Sequence, residues 1–164
     1  MKWSLHRPMA LDEGIVVSSV NCRGLRDLNK RADVIDYLKQ TPSNILCLQD
    51  THWVKKDERN IQELWNNPGH INGGKTNARG VAILLKNNFE FTVLNTISDL
   101  EGNMIILDIK ISKEITIRLL NIYAPNNDNP EFFLKINDYV SNNNCDYCII
   151  CGDFNLTIDP EMDS

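Results

Sequence analysis

The chain has 164 residues, of which 42% are hydrophobic and 24% charged, and its formal net charge at pH 7 is −5. These values are typical of one soluble globular domain, and no apolar run approaches the roughly 20 residues that a membrane-spanning helix needs. The polar start, MKWSLHRPMALDEG, lacks the apolar middle of a secretory signal, so we expect an intracellular protein, nuclear or cytoplasmic.

The charge is distributed unevenly along the chain. Residues 1–123 carry 16 Lys/Arg against 14 Asp/Glu, whereas residues 124–164 carry one against eight. A mildly basic front with carboxylates behind it suits an enzyme that handles a polyanion and also holds a cation. Chance clustering of surface acids explains the same distribution equally well.

The predicted elements alternate in type. Apolar β-rich runs predict strands, and apolar stripes at helical spacing predict helices. The predicted strands are residues 15–20, 45–49, 80–86, 104–111, 115–123 and 147–151. The predicted helices are residues 30–40 after an Asn29 N-cap, residues 58–67 after Asp57, and a helix with Asn129 as N-cap and Pro130 at its first position. A turn at residues 112–114 predicts a hairpin, and the order implies an α/β layered fold with a mixed sheet.

Residues 69–76, GHINGGKT, satisfy the phosphate-loop pattern G-x-x-x-x-G-K-[ST]. That loop requires a strand before it and a helix that begins at the Lys-Thr, because the helix amides bind the phosphates. Here a helix and a Pro-Gly turn precede the motif and a strand follows it. We therefore interpret it as a mobile loop, from which Lys75 and Arg79 remain candidates for contact with a phosphate backbone.

Three of the five cysteines have the spacing Cys145-x-x-Cys148-x-x-Cys151, which is typical of zinc or iron–sulfur sites. They lie in a β-rich run, where residues three apart are roughly 10 Å from each other. Sulfurs on such a line cannot converge on one metal at about 2.3 Å. Buried structural thiols are the better interpretation.

Polar residues follow several of the predicted strands at the point where each strand ends. They are Asn21, Asp50, Tyr123, Asp153 and Asn155. Strand ends that deliver polar side chains to one rim are where layered α/β folds build sites, and carboxylate and amide oxygens suit Mg²⁺. Each residue taken alone also fits a turn, a helix cap or a plain strand exit.

Five blocks occur in the order typical of one superfamily: SVNCRGL (19–25), ILCLQDTHW (45–53), ARGVAILL (78–85), LLNIYAPN (119–126) and IICGDFN (149–155). By these blocks the chain resembles the endonuclease/exonuclease/phosphatase superfamily, and within it the endonuclease domains of LINE-type retrotransposons. The resemblance implies a DNase I-like layered α/β sandwich with mixed sheets over residues 15–164, preceded by an N-terminal extension, residues 1–14.

The same resemblance implies roles for the site residues. Asn21 and Asp50 would hold Mg²⁺ or Mn²⁺, and Asp153 would orient or activate the attacking water. Asn155 would hydrogen-bond the scissile phosphate, and Tyr123 would stabilise charge on the phosphate or leaving group. Possible DNA backbone contacts are Arg23, Lys75 and Arg79. Two positions depart from the family: Asp50 stands where a longer Glu is usual, and Arg23 where many relatives place another polar or acidic ligand.

The implied activity is Mg²⁺-dependent nicking of DNA, with a reverse transcriptase in the same polyprotein if the reading frame continues. Family members continue past the last block to a segment that carries a histidine, whereas this chain ends at Ser164 and its histidines, His6, His52 and His70, lie early. We therefore expect a domain that lacks its C-terminal strands, with impaired or absent activity. The alternatives are a non-catalytic, decayed remnant and a phosphatase or sphingomyelinase-like phosphoesterase.

Overall fold

The computed structural model describes residues 14–111, 114–127 and 129–156, which form two facing sheets with helices on the outer faces. The elements in chain order are β1 (Val17–Asn21), α1 (Leu28–Gln40), β2 (Ile45–Gln49), a 3₁₀ turn (Lys55–Asp57), α2 (Glu58–Trp65), β3 (Gly69–Asn72), β4 (Val81–Leu85), β5 (Thr92–Ser98), β6 (Met104–Lys110), β7 (Thr116–Tyr123), α3 (Pro130–Ser141) and β8 (Tyr147–Asp153).

Each sheet is built from one continuous part of the chain. The first has the strand order β1-β2-β4-β3, and the second has the order β5-β6-β7-β8. The pairs β1–β2 and β7–β8 are parallel, and the other pairs are antiparallel. The parallel pairs are connected by the helices α1 and α3, as parallel neighbours require a crossover. The predicted α/β fold with mixed sheets is confirmed, as is the predicted β6–β7 hairpin.

Three apolar layers hold the molecule together. The first lies between α1, α2 and the outer face of the first sheet, the second lies between the two sheets, and the third lies between α3 and the second sheet. All five residues of β2 and of β4 are buried. Because both faces of these strands are covered, their sequences, ILCLQ and VAILL, are nearly continuous apolar runs rather than alternating ones.

A charged pair is buried where α3 meets the second sheet. Asp108 on β6 and Arg118 on β7 are register partners, and the guanidinium donates to both carboxylate oxygens at 2.7 Å. Arg118 Nη1 also donates to the carbonyl of Tyr139 on α3 at 2.8 Å. The guanidinium holds the pKa of the Asp108 carboxyl below its usual value against the opposing effect of burial. The Arg118 side chain therefore connects its own strand, β7, to β6 and to α3.

Several boundaries differ from the prediction. The strands β3 and β5 were not predicted, and the first half of GHINGGKT is β3 rather than a loop. As predicted, no helix follows Thr76, because residues 77–80 lead directly into β4. The α1 helix begins at Leu28, and its N-cap is Asp27, whose carboxylate accepts a bond from the Lys30 amide at 2.8 Å, rather than the predicted Asn29.

Some predictions fall on parts of the chain that the structure does not describe. The N-terminal extension lies outside the described residues except for Gly14, and most of the 112–114 turn lies outside them as well. Within the described ranges, none of the helices is long and apolar enough to cross a membrane. Cys148 packs in the α3 layer and Cys151 in the layer between the sheets, so these two thiols lie on opposite faces of β8.

Candidate active site

The site lies where four strand ends meet. The strand β1 ends at Asn21, β2 ends one residue before Asp50, β7 ends at Tyr123 and β8 ends at Asp153. The amide of Asn21 donates to the carboxylate of Asp153 at 2.7 Å, although the two residues are 132 positions apart and belong to different sheets. This hydrogen bond closes the rim between the sheets and brings the predicted residues together.

Tyr123 occupies the centre of this group. It is the register partner of Asp153, and its phenol lies within hydrogen-bonding reach of the Asp50 and Asn155 side chains. Burial raises the pKa of the Tyr123 phenol, and the negative charges of Asp50 and Asp153 raise it further. The phenol is therefore protonated at neutral pH and available as a hydrogen-bond donor.

Asn155 is held in place by a tight turn after β8. Its backbone is left-handed, with φ +46°, and its amide N–H donates to Asp153 Oδ1 at 3.0 Å. The side-chain Nδ2 donates to the carbonyl of Ala124 at 2.6 Å. One amide hydrogen of Asn155 is thus used to fix the side chain, and the amide group carries a second one.

His52 joins the site, although it was not among the predicted residues. Its Nε2 lies 2.9 Å from Asp50 Oδ1. Both residues have left-handed backbones, with φ +52° for Asp50 and +58° for His52. The ring also packs against Gly24, where an added Cβ would lie 2.8 Å from His52 Nδ1. The sequence offered one indication, because His52 lies two residues after Asp50 in the block ILCLQDTHW.

Lys30 fixes the loop that follows Asn21. Its ammonium group donates to the carbonyls of Cys22, Arg23 and Gly24 at 3.4, 3.2 and 2.6 Å. The Arg23 amide N–H donates to Asn21 Oδ1 at 3.0 Å, so the loop in turn orients the Asn21 side chain. Nothing in the local sequence pattern indicated this role, because it depends on where α1 packs.

The other two predicted DNA contacts lie on the loop before β4. Lys75 and Arg79 both pair with Glu101, and the Arg79 Nη1–Glu101 Oε2 distance is 3.9 Å. The backbone of this loop is joined to the site, because the His52 amide donates to the Arg79 carbonyl at 2.7 Å. Arg23 and Arg79 thus border the site, and Lys75 and Arg79 share Glu101 as an acidic partner.

The donor atoms at this rim are oxygen atoms of the type that a hard divalent cation binds. Asn21, Asp50 and Asp153 supply carboxamide and carboxylate oxygens, which Mg²⁺ and Mn²⁺ prefer. Their arrangement differs from an all-carboxylate or histidine cage: in the part of the chain that the structure describes, no three His, Cys, Asp or Glu side chains form a group that could hold a metal. A cation here would depend on Asn21 as well as on the carboxylates.

Two facing mixed sheets with polar residues at their strand ends define the DNase I-like layered fold. Residues 18–160 match the Endonuclease/Exonuclease/phosphatase family, and the chain belongs to that family. It is 28% identical over 146 residues to the "Transposon TX1 uncharacterized 149 kDa protein" of Xenopus laevis; the match covers 87% of the chain and 11% of that protein.

Two solved structures share the fold at low sequence identity. One is D. rerio TDP2 complexed with a single-strand DNA product, with a TM-score of 0.63 and 16% identity, covering 91% of this chain and 63% of that one. The other is the endonuclease domain of TRAS1, a telomere-specific non-LTR retrotransposon, with a TM-score of 0.60 and 14% identity. The match covers 85% of this chain and 60% of the TRAS1 chain. The chain thus spans less than two thirds of either structure.

Proposed function

We propose that this chain carries the site of a divalent-metal-dependent phosphodiesterase that nicks DNA, of the retrotransposon-endonuclease type. The observation that carries the proposal is the 2.7 Å bond between Asn21 and Asp153, which joins the two sheets beside Asp50 and Tyr123. Family membership and the likeness to the Xenopus transposon protein support the substrate class.

The proposed chemistry divides hydrolysis of the phosphodiester among these side chains. Asp153 accepts from Asn21 through Oδ2 and from the Asn155 amide through Oδ1, so its carboxylate is fixed and its remaining lone pairs orient the attacking water. The protonated Tyr123 phenol and the second amide hydrogen of Asn155 donate to phosphate oxygens. Asn21 and Asp50 would hold Mg²⁺ or Mn²⁺, which supplies charge neutralisation at the phosphate when bound.

The proposed partners follow from the same site. DNA is the substrate, with Arg23 and Arg79 beside the rim and Lys75 further along the loop as contacts for its backbone. Because the matched Xenopus protein is far longer than this chain, we also propose that residues 15–164 act as one domain of a polyprotein that includes a reverse transcriptase.

Conversion of supercoiled plasmid to open circles tests the proposal. The purified chain should nick DNA at an impaired rate and only with Mg²⁺ or Mn²⁺, and Asp153→Ala should lower that rate by about a hundredfold or more, because the fixed acceptor for the water proton is lost. Asp138→Ala, on the exposed part of α3, is the control and should match the unmodified chain. Nicking that survives chelation or Asp153→Ala contradicts the mechanism.

Inertness of the folded chain towards plasmid DNA contradicts the proposed activity itself. A substrate panel then separates the alternatives: an abasic oligonucleotide, an inositol phosphate and sphingomyelin. Hydrolysis of inositol phosphate or sphingomyelin in preference to DNA would assign the site to a phosphatase or sphingomyelinase-like enzyme. Failure with every substrate and both cations would identify a non-catalytic domain.

A further inference from the structure

Two polar side chains lie inside the apolar layer between the sheets, directly behind the site. Gln49 is 2% exposed and Asn121 is 0% exposed. Gln49 immediately precedes Asp50, and Asn121 precedes Tyr123 by two residues. Their neighbours in this layer, such as Cys47 and Ile83, are otherwise apolar.

Every polar atom of the Asn121 side chain is bonded to the opposite sheet. Its Oδ1 accepts from Gln49 Nε2 at 2.6 Å, and its Nδ2 donates to the carbonyls of Leu48 and Ala82 at 2.9 and 2.8 Å. Asn121 lies on β7, and its three partners lie on β2 and β4. The side chain is therefore a hydrogen-bonded connection between the two sheets.

Gln49 extends the connection to the strand that carries Asn21. Its Nε2 donates to Ser19 Oγ at 3.0 Å, and Ser19 Oγ donates to Gln49 Oε1 at 3.3 Å. Ser19 lies two residues before Asn21 on β1. The network thus reaches all the strands that supply Asn21, Asp50 and Tyr123.

Apolar contact between two sheets is non-directional and tolerates small slides, whereas hydrogen bonds have strict distances and angles. A slide of one sheet over the other would leave Asn121 and Gln49 buried without partners, which is strongly unfavourable. The relative position of the sheets is therefore fixed at Asn121. The site depends on that position because Asp50 and Tyr123 come from different sheets.

We propose that Gln49 and Asn121 are positioning residues, whose buried inter-sheet hydrogen bonds set the distance between Asp50 and Tyr123. The inference rests on the proposed function for its catalytic consequence, but the geometric part concerns the metal-free protein as well. A purely structural role would make the pair replaceable by apolar side chains of similar size.

The decisive variant is therefore the double substitution Gln49→Met with Asn121→Leu. It removes both buried side-chain amides together, and the Leu48 and Ala82 carbonyls that lose the Asn121 donor belong to paired strands, so thermal stability should be close to that of the unmodified chain. The directional bonds are lost, so kcat for nicking should fall by about a hundredfold while KM changes little, as expected for a small displacement of reacting groups. Ile109→Ala, in the same layer, is the control for a general loss of packing.

A second readout needs neither metal nor substrate. 3-Fluorotyrosine is incorporated, and the ¹⁹F chemical shift of Tyr123 is measured. In the unmodified chain and in Ile109→Ala, this chemical shift should differ clearly from that of a solvent-exposed tyrosine. It should move towards that value in the double variant. Ser19→Ala, a change at an exposed residue, leaves the Gln49–Asn121 bond intact, so the Tyr123 resonance should stay close to its position in the unmodified chain.

The outcomes separate the two proposals. A double variant that keeps both the Tyr123 resonance and kcat of the unmodified chain overturns the positioning role, as does an Ile109→Ala variant that changes both equally. If the double variant does not fold, Gln49→Met alone takes its place, because it removes the Gln49–Asn121 bond and leaves Asn121 its bonds to the Leu48 and Ala82 carbonyls; an unshifted Tyr123 resonance in that variant overturns the positioning role. If the unmodified chain fails to nick DNA, the proposed function falls, and the ¹⁹F shifts still decide the positioning role.

Discussion

Tyr123 shows how single residues acquire their properties from the strands that meet around them. Its pKa is raised by burial and by the negative charges of Asp50 and Asp153, which reach it from two different sheets. Neither carboxylate is near it in sequence. The chemical state of this phenol is therefore a product of the fold and cannot be read from the motif LLNIYAPN alone.

Asp50→Asn should lower the pKa of the Tyr123 phenol towards its ordinary value. The substitution removes a negative charge that disfavours the tyrosinate, so the proton is released at lower pH. A pH titration followed by ¹³C NMR of labelled tyrosine rings measures the change. Asp138→Asn on α3 is the matched control and should leave the titration unchanged. A Tyr123 pKa that stays as high in Asp50→Asn as in the unmodified chain would contradict the assignment.

The sequence motifs named the site residues because each lies at the end of a strand or within two residues of it, and strand ends could be recognised from apolar runs. The structure brings Asn21, Asp50, Tyr123, Asp153 and Asn155 together, and their catalytic roles stay predictions. His52 and Lys30 could not be predicted in the same way. Their contacts depend on left-handed backbones at positions 50 and 52 and on the packing of α1, which no local pattern encodes.

At the scale of elements, the sequence located those strands and helices that carry their own apolar pattern. The strand β2 matches its predicted bounds, and α3 begins after Asn129 as predicted, because Asn129 Oδ1 accepts from the Phe132 amide at 3.1 Å. The missed strands had no such pattern. The strand β3 has four half-buried residues that include a glycine, and β5 is largely exposed, so both exist through pairing with β4 and β6.

The cap of α3 gives a direct stability test. Asn129→Ala should destabilise the protein by about 1 kcal/mol, because the first-turn amide of Phe132 loses its side-chain acceptor. Asn129→Asp keeps an acceptor and adds a negative charge at the positive end of the helix dipole, so it should retain most of that stability. Urea denaturation measures both variants. Equal losses for Ala and Asp would contradict the capping role.

The Asp108–Arg118 pair predicts how stability depends on pH. Arg118 holds the pKa of Asp108 below its unfolded value, so the pair contributes stability that is present above the unfolded pKa, about 4, and is lost as pH falls through the folded pKa. Asp108→Asn should cost roughly 3 kcal/mol at pH 7, because it leaves a buried guanidinium without its counter-charge. The difference should narrow in acid. Urea denaturation at pH 7 and pH 3 tests this.

The control for this prediction is Asp36→Asn, which removes an exposed partner of Lys39 within α1. Exposed pairs of this kind contribute well under about 1 kcal/mol, so the variant should be nearly neutral at both pH values. A loss at pH 7 as large as that of Asp108→Asn would show that loss of any carboxylate, rather than burial of the pair, sets the effect.

At the scale of the whole molecule, the site is shared between the sheets, so a cation bound there should stabilise the complete fold. Ligand at 100 times its Kd adds about 2.7 kcal/mol to the free energy of unfolding. Thermal denaturation with increasing Mn²⁺ or Mg²⁺, at constant ionic strength, should therefore show a rising Tm. Asp50→Asn should abolish most of the rise, whereas Asp138→Asn should retain it. An equal rise in Asp50→Asn would place the cation elsewhere.

Composition and charge could not have located this site, because the carboxylates that form it are few among 22 acidic residues. The order of five motifs along the chain indicated the architecture, and the family match over residues 18–160 agrees with it. The packing of one sheet on the other could not be predicted from the sequence, because it depends on side chains such as Asn121. The hydrogen-bond partners of Asn121 lie 39 or more positions away in the chain.

Each sheet comes from one uninterrupted part of the chain: the first from residues 17–85 and the second from residues 92–153. A six-residue connection, residues 86–91, joins the two parts. Neither part alone contains both Asp50 and Tyr123. Cleavage within residues 86–91 would therefore separate Asp50 from Tyr123, and reunion of the two pieces would bring them together again. If the proposed cation site exists, cation binding by the mixed pieces but by neither piece alone would report their complementation.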